Sequence, residues 1–227
     1  MGLLNTAILI SGEGTNMQAL IDRCGEGKIA AKIAVVVANV TNAQGLKRAQ
    51  TAGIPTTVID HKKYPNRESF ENEITDRLHA KNIEMVCLAG FMRLLTKNFV
   101  NQWYNRLINI HPSLLPAYKG LNTHQRALKD GVKFTGCTVH YVRPEMDTGP
   151  IIAQAVVPIF PDDNLETLSR RVLATEHRCY PLALQMIAGG KVNILDDKVI
   201  IEGASFPRRE LLNPSKGENN ENLVNKG

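Results

Sequence analysis

Asn109 and His111 stand two residues apart in an otherwise apolar run, Leu107-Ile108-Asn109-Ile110-His111-Pro112. On extended backbone that spacing sends both side chains to one face. There, an amide donor beside an imidazole can stabilise an oxygen that turns negative during acyl transfer. Pro112 disfavours helical backbone at His111, so the ring sits on extended chain. Taken alone, the pair is explained at least as well by a satisfied buried histidine next to a structural asparagine. The downstream loop Glu145-Met146-Asp147-Thr148-Gly149-Pro150 shifts that balance. Placed beside His111, the Asp147 carboxylate would favour the charged ring and fix its orientation, although an Asp in such a turn more often serves its own backbone.

A second constellation, Ser11-Gly12-Glu13-Gly14-Thr15-Asn16, lies between an apolar run and a helical pattern. Strand, glycine loop and helix start bring backbone amides together on an anion, and Thr15 and Asn16 could cap the helix or donate further hydrogen bonds. A tight turn with a cap fits the short motif as well as a phosphate site does. A dinucleotide fingerprint fits poorly: Met17 replaces the third glycine, and the second strand runs into Asn39 rather than an acid. No Gly-Lys-Ser or Gly-Lys-Thr follows, which leaves a single phosphomonoester as the better ligand. No His-Glu-x-x-His or G-x-S-x-G pattern occurs, and Ser113 carries no mark of an activated nucleophile. Cys24, Cys87, Cys137 and Cys179 are scattered singly, unlike a zinc set or a disulfide framework.

The elements that must position these residues are legible in the apolar pattern. Short β-branched runs at Thr6 to Ile10, Ile33 to Ala38, Thr56 to Ile59 and Met85 to Ala89 predict strands buried on both faces. Between them, Met17 to Cys24, Ala43 to Ala52 and Arg67 to Lys81 carry apolar residues at helical spacing. Such alternation predicts a Rossmann-like α/β fold, a mostly parallel sheet with helices on both faces. After Leu107 the expectation changes. Strands at Leu107 to His111, Phe134 to Val142 and Ile151 to Ile159 are joined by irregular loops instead of helices, followed by a long helix over Asn164 to Ala188. A hairpin over Lys191 to Ile201 turns near Asp196-Asp197. The expected organisation is one domain over 1–205 and a poorly ordered tail over 206–227.

Composition narrows the class without choosing it. The 227 residues hold 27 basic and 22 acidic side chains, a net +5 that suits an anionic small molecule as readily as a nucleic acid. No apolar run approaches the roughly 18 residues of a membrane span, and no basic N-terminal region leads into one. A cytoplasmic location is the expectation.

Together the motifs resemble a known family. Ile10-Ser11-Gly12-x-Gly14-Thr15-Asn16, Leu88-Ala89-Gly90-Phe91-Met92-Arg93, Asn109-Ile110-His111-Pro112-Ser113-Leu114-Leu115-Pro116, and Gly136-x-Thr138-Val139-His140 with Asp147-x-Gly149-Pro150 stand in the order of the folate-dependent phosphoribosylglycinamide formyltransferases. The resemblance covers about Asn5 to Ile201. It implies a formyltransferase fold and transfer of a formyl group from 10-formyltetrahydrofolate to the amine of glycinamide ribonucleotide, without a metal. It places the acceptor phosphate on Gly14, Thr15 and Asn16, with Glu176 near the ribose or glycinamide end. The folate head group is expected along Met92, Arg93, Leu94 and Leu95, beside Asn109, and against Arg143, Pro144, Glu145, Met146 and Asp147, largely through backbone contacts. Arg67 matches a position near the folate's extended part. Asn109 and His111 would hold the oxyanion and Asp147 would keep His111 protonated, with His140 one strand away.

The same resemblance implies small-molecule partners only, no nucleic acid or membrane, and a monomer or homodimer. The chain departs from the family at Leu173, where a polar group is usual, and at Asn122. A formyltetrahydrofolate deformylase, with water as acceptor, and a nonenzymatic folate- or nucleotide-binding module are the alternatives. The three polar identities at 109, 111 and 147 argue against the module.

Overall fold

The computed structural model describes residues 2–215. Its strands are β1 (Leu4–Ile10), β2 (Ala31–Ala38), β3 (Thr56–Val58), β4 (Met85–Leu88), β5 (Leu107–His111), β6 (Phe134–Tyr141), β7 (Ile151–Pro158), β8 (Val192–Leu195) and β9 (Lys198–Ile201). Its helices are α1 (Thr15–Gly25), α2 (Gln44–Thr51), α3 (Arg67–His79), α4 (Lys97–Gln102), α5 (Thr123–Asp130) and α6 (Leu165–Ala188). The first seven strands make one sheet in the order β3-β2-β1-β4-β5-β6-β7. Strands β1 to β5 pair in parallel, whereas β6 and β7 join antiparallel. The order reverses between β1 and β4, and that crevice at the strands' carboxyl ends is where open α/β sheets hold ligands.

Strand periodicity builds two apolar layers. Ile8, Ile10, Val36 and Ala38 face one way, into a cluster with α1 and α6 residues such as Met17, Leu20, Val172 and Leu184. Their neighbours Ala7, Leu9, Val35 and Val37 face the other way, onto Phe70, Ile74, Phe99 and Trp103 of α3, α4 and the turn after them. On β5, Ile108 and Ile110 join the first layer and Leu107 the second. Asn109 and His111 therefore share the face of Leu107, as a period of two requires.

Helix α6 starts with a capping box: Asn164 Oδ1 accepts from the Glu166 and Thr167 amides, and Thr167 Oγ1 accepts from the Asn164 amide. Its buried Tyr180 hydroxyl lies 3.0 Å from the Leu88 carbonyl and 3.2 Å from that of Ile108, fixing the helix against β4 and β5.

The structure corrects one expectation. The connection from β5 to β6 is not wholly irregular, because α5 occupies it, bounded by left-handed Asn122 and Gly131. The β8–β9 hairpin turns through Asp196 and Asp197 as expected, both at positive φ. Residues 206–215 form no helix or strand, and the Asn213 side chain donates to the carbonyls of Lys133 and Ile159. The remainder of the expected tail, 216–227, lies outside the described residues. Among the described residues no helix is long and apolar enough to cross a membrane.

Candidate active site

Polar groups gather at the end of β5. His111 is 5% exposed, and its Nε2 lies 2.9 Å from the Tyr118 carbonyl oxygen. A carbonyl only accepts, so Nε2 bears a proton. Its Nδ1 faces Asp147 Oδ2 at 3.5 Å. An acceptor oxygen thus faces each ring nitrogen. Asp147 Oδ2 also accepts the Gly120 amide at 2.7 Å, so one carboxylate ties the loop after β6 to the loop after β5.

Asn109 pairs across the ladder with His140 of β6. The His140 Nδ1 lies 2.9 Å from the Tyr141 carbonyl and 3.1 Å from that of Thr148, which makes Nδ1 the protonated nitrogen. Its Nε2 therefore offers a lone pair to Asn109 Nδ2 at 3.5 Å. Burial lowers the His140 pKa, which keeps that lone pair available. The arrangement orients the Asn109 amide and leaves its second N–H for a ligand.

Across the crevice, the glycine loop follows β1. Gly14 is the N-terminal cap of α1 at φ 73°, with no side-chain cap. A Cβ there would come within 2.8 Å of Gly45 Cα, so the loop and the start of α2 touch backbone to backbone. Of the two roles open to Asn16, cap or hydrogen-bond donor, the structure shows the donor. Its Nδ2 donates to Glu176 Oε2 at 2.7 Å, and its buried Oδ1 has no partner among the described residues. Glu176 is 6% exposed, and burial raises its pKa to about 7 against the opposing Asn16 hydrogen bond. Thr15, Asn16 and Glu176 thus form a polar corner with an acceptor atom still unused.

Met92, Arg93, Leu94 and Leu95 leave the end of β4, with Met92 66% and Leu94 58% exposed. Met146, in the Asp147 loop, is 52% exposed. Large apolar side chains left this open beside polar groups suit a flat ring system. Pro144 is half-buried and Glu145 exposed in the same loop. The Arg143 guanidinium is turned away from this region toward Asp197, Asn105 and Tyr104, which leaves only its backbone to the cleft. Arg67 opens α3 on the surface. Among the described residues it shares no hydrogen bond or ion pair with the other candidates.

Several contributors escaped the sequence reading. Ser11 Oγ donates to Asn39 Oδ1 at 2.6 Å and accepts the Met92 amide at 2.8 Å, joining the glycine loop to the loop after β4. Thr138 Oγ1 donates to the Ser113 carbonyl and accepts from Leu115 N and Gln154 Nε2, which shapes the segment after His111. Ser113 is fully buried with its hydroxyl donating to Ala117 O, an anchor for that same segment. For Ser11 and Ser113 the local sign is a hydroxyl where an apolar strand gives way to a loop, and for Thr138 a hydroxyl inside the buried strand β6.

The family model described as formyl transferase matches residues 4–184. The chain is 42% identical over 202 residues to a phosphoribosylglycinamide formyltransferase of Haemophilus influenzae, covering 89% of this chain and 95% of that one. It is 48% identical over 191 residues to the trifunctional purine biosynthetic protein adenosine-3 of Gallus gallus, 84% of this chain but only 19% of that much longer protein. The solved structure of glycinamide ribonucleotide transformylase 1 from Symbiobacterium toebii matches with a TM-score of 0.86 at 46% identity, over 88% of this chain and 94% of that one. A cleft whose polar groups suit acyl transfer thus sits within a fold and sequence shared over nearly the full length of single-function relatives, and the chain belongs to the formyl transferase family, with the phosphoribosylglycinamide formyltransferases.

Proposed function

We propose that this protein transfers the formyl group of 10-formyltetrahydrofolate to the amine of glycinamide ribonucleotide, giving formylglycinamide ribonucleotide and tetrahydrofolate, in the purine biosynthesis of the cytoplasm. The observation that carries the reading is the convergence of Asn109, His111 and Asp147 at the end of β5, opposite the Gly14, Thr15, Asn16 and Glu176 corner.

In this reading the acceptor's phosphate lies on the amides of Gly14, Thr15 and Asn16, at the N-terminus of α1. Its sugar hydroxyls meet Glu176 and the free Asn16 Oδ1. The exposed Met92, Leu94 and Met146 cover the pterin, while backbone groups of 92–95 and 143–147 read its polar edge. When the amine attacks the formyl carbon, the carbonyl oxygen gains charge. Asn109 donates its unused N–H to that oxygen, and His111 supplies the second donor once its Nε2 proton leaves the Tyr118 carbonyl. Asp147 keeps the ring charged and, through water, takes part in removing the amine's proton. The collapse of the tetrahedral adduct breaks the bond from the formyl carbon to the folate nitrogen, which leaves protonated.

The test is release of tetrahydrofolate followed by absorbance, with glycinamide ribonucleotide and with water alone. Turnover that requires the nucleotide is the expected result. Release at the same rate without it would identify a deformylase, and binding without turnover a nonenzymatic module.

A further inference from the structure

Arg143 is a cation with 8% exposure at the start of the loop that carries Met146 and Asp147, and none of its side-chain contacts faces the cleft. Its Nε and one terminal nitrogen both donate to Asp197 Oδ1, at 3.1 and 2.6 Å. The same terminal nitrogen reaches Asn105 Oδ1 at 2.9 Å, and the guanidinium carbon stacks 4.1 Å from the centre of the Tyr104 ring. Thus the turn before β5, the loop after β6 and the turn of the β8–β9 hairpin meet on one side chain. The stem of Arg143 also governs where the loop returns. At Gly149, φ 111°, a Cβ would lie 2.9 Å from Arg143 Cγ and 2.2 Å from the Tyr141 carbonyl oxygen, so the two ends of the loop are in contact.

We infer that Asp197, in the hairpin turn remote from the reacting groups, is a positioning residue for formylfolate: it locks Arg143 and thereby holds the 143–149 loop in its folate-receiving shape. The inference rests on the reading of that loop as folate-facing. The physical argument is that a buried guanidinium needs a charge partner. Asn105 and Tyr104 provide a neutral acceptor and a ring face, so Asp197 supplies the only carboxylate on it among the described residues. Removing that carboxylate favours a guanidinium that reaches for water, and its stem cannot move without disturbing Gly149. Pro144, Glu145, Met146 and Asp147 lie between these two anchors. Asp197 is itself half exposed, so bulk salt weakens the lock.

The chosen variant is Asp197→Gly, because φ 57° at this position suits glycine and the turn is retained; Asp197→Asn keeps a neutral acceptor on the same backbone. Two measurements are made on the full chain: amide hydrogen exchange across 142–150 without ligand, and KM for each substrate in the transferase assay. For Asp197→Gly we expect exchange at 143–149 to quicken at least tenfold while β1 and β4 amides stay unchanged. KM for 10-formyltetrahydrofolate should rise three- to tenfold, with that for glycinamide ribonucleotide within twofold. Asp197→Asn should fall between, and the ratio of variant to wild-type folate KM should shrink in high salt. Unchanged exchange in the loop overturns the lock. Quickened exchange with an unchanged folate KM, or both KM values rising together with a fall in Tm, overturns the positioning role and leaves a structural one. A wild-type chain with no transfer refutes the proposed function instead. In that event fluorescence titration with 10-formyltetrahydrofolate replaces KM, and equal affinity of wild type and Asp197→Gly overturns the inference.

Discussion

Asp147 Oδ2 lies 3.5 Å from His111 Nδ1 while accepting the Gly120 amide at 2.7 Å. The carboxylate is thus held by backbone from one side and faces the imidazole from the other. Asp147 adopts φ 48°, a left-handed conformation that Asp tolerates better than most residues and that aims its side chain across the cleft.

Replacing Asp147 with Asn separates these two duties. The amide oxygen still accepts from Gly120, so the loop stays in place, but the charge opposite His111 is gone. We expect kcat to fall about 10²- to 10⁴-fold, in the range of lost acid–base assistance, with KM for both substrates changed by less than about threefold. His111→Ala should lose activity to a similar extent and retain its fold. Steady-state kinetics with a thermal melt checks both, and a normal rate in either variant removes that residue from the mechanism.

Glu176 makes an opposite trade, sacrificing stability at a binding corner. Burial raises its pKa to about 7 from the ordinary carboxylate value, with the Asn16 hydrogen bond opposing the shift. A group whose folded pKa is raised contributes stability below its unfolded pKa and loses it as pH rises through the folded value. Glu176→Gln, which can still accept from Asn16, should therefore be more stable than wild type at pH 8, by on the order of 2–3 kcal/mol, and no more stable below about pH 4. Its KM for glycinamide ribonucleotide should rise. Denaturant melts at the two pH values check the sign, and equal stability at pH 8 would show that the ionised carboxylate is compensated.

The parallel half of the sheet and the facing of Asn109 and His111 were readable because strand period and β-branched runs are local signals. What escaped was either too short to show a period or depends on distance in the chain. Helix α5 spans eight residues and buries only Thr123 and Ala127, too few to print a period. Asn16 read as a cap or a hydrogen-bond donor, and its acceptor, Glu176, lies 160 positions away. The backbone of Arg143 was expected at the cleft, but its side-chain partners Asn105 and Asp197, 38 and 54 positions distant, had no sequence mark. For Asn16 and Arg143, a short polar side chain and a long cation found partners far away in the chain. The residues alone did not give the closeness of Asp147 to His111, which only the family resemblance implied, and the Gly120 amide that anchors Asp147 had no sequence mark.

His140 gives the site a dependence on acid. Burial lowers its pKa, with a smaller push from His111, while the Tyr141 carbonyl, the Asp147 charge and the Thr148 carbonyl oppose the shift. Protonation would turn Nε2 into a donor facing the Asn109 N–H, so kcat should drop on the acid side as that ring titrates. A histidine with a depressed folded pKa stabilises the fold above its unfolded value, about 6.5, and loses that contribution as pH falls. His124 and His177, also lowered by burial, add to the same loss. His140→Gln should therefore show a shallower fall in Tm below pH 6.5 than wild type, and its kcat profile should lack the corresponding acid limb. Parallel profiles in the two proteins would release His140 from the role of orienting Asn109.

The glycine loop offers an internal control. Gly14 and Gly12 are two residues apart, but only Gly14 has both positive φ and a neighbour in the way: an added Cβ would lie 2.8 Å from Gly45 Cα and 3.0 Å from Met17 Cε, while nothing lies within 4 Å of one at Gly12. Gly14→Ala combines a left-handed alanine with a backbone clash, a cost of about 2–4 kcal/mol. Relief requires the loop to move off α2, which withdraws the α1 amides from the acceptor phosphate. KM for glycinamide ribonucleotide should rise at least tenfold while that for the folate stays near wild type. Gly12→Ala should alter stability by less than about 0.5 kcal/mol. If both variants raise the acceptor KM alike, the phosphate needs bare backbone at both glycines and the contact with Gly45 is incidental; if neither does, the phosphate binds elsewhere.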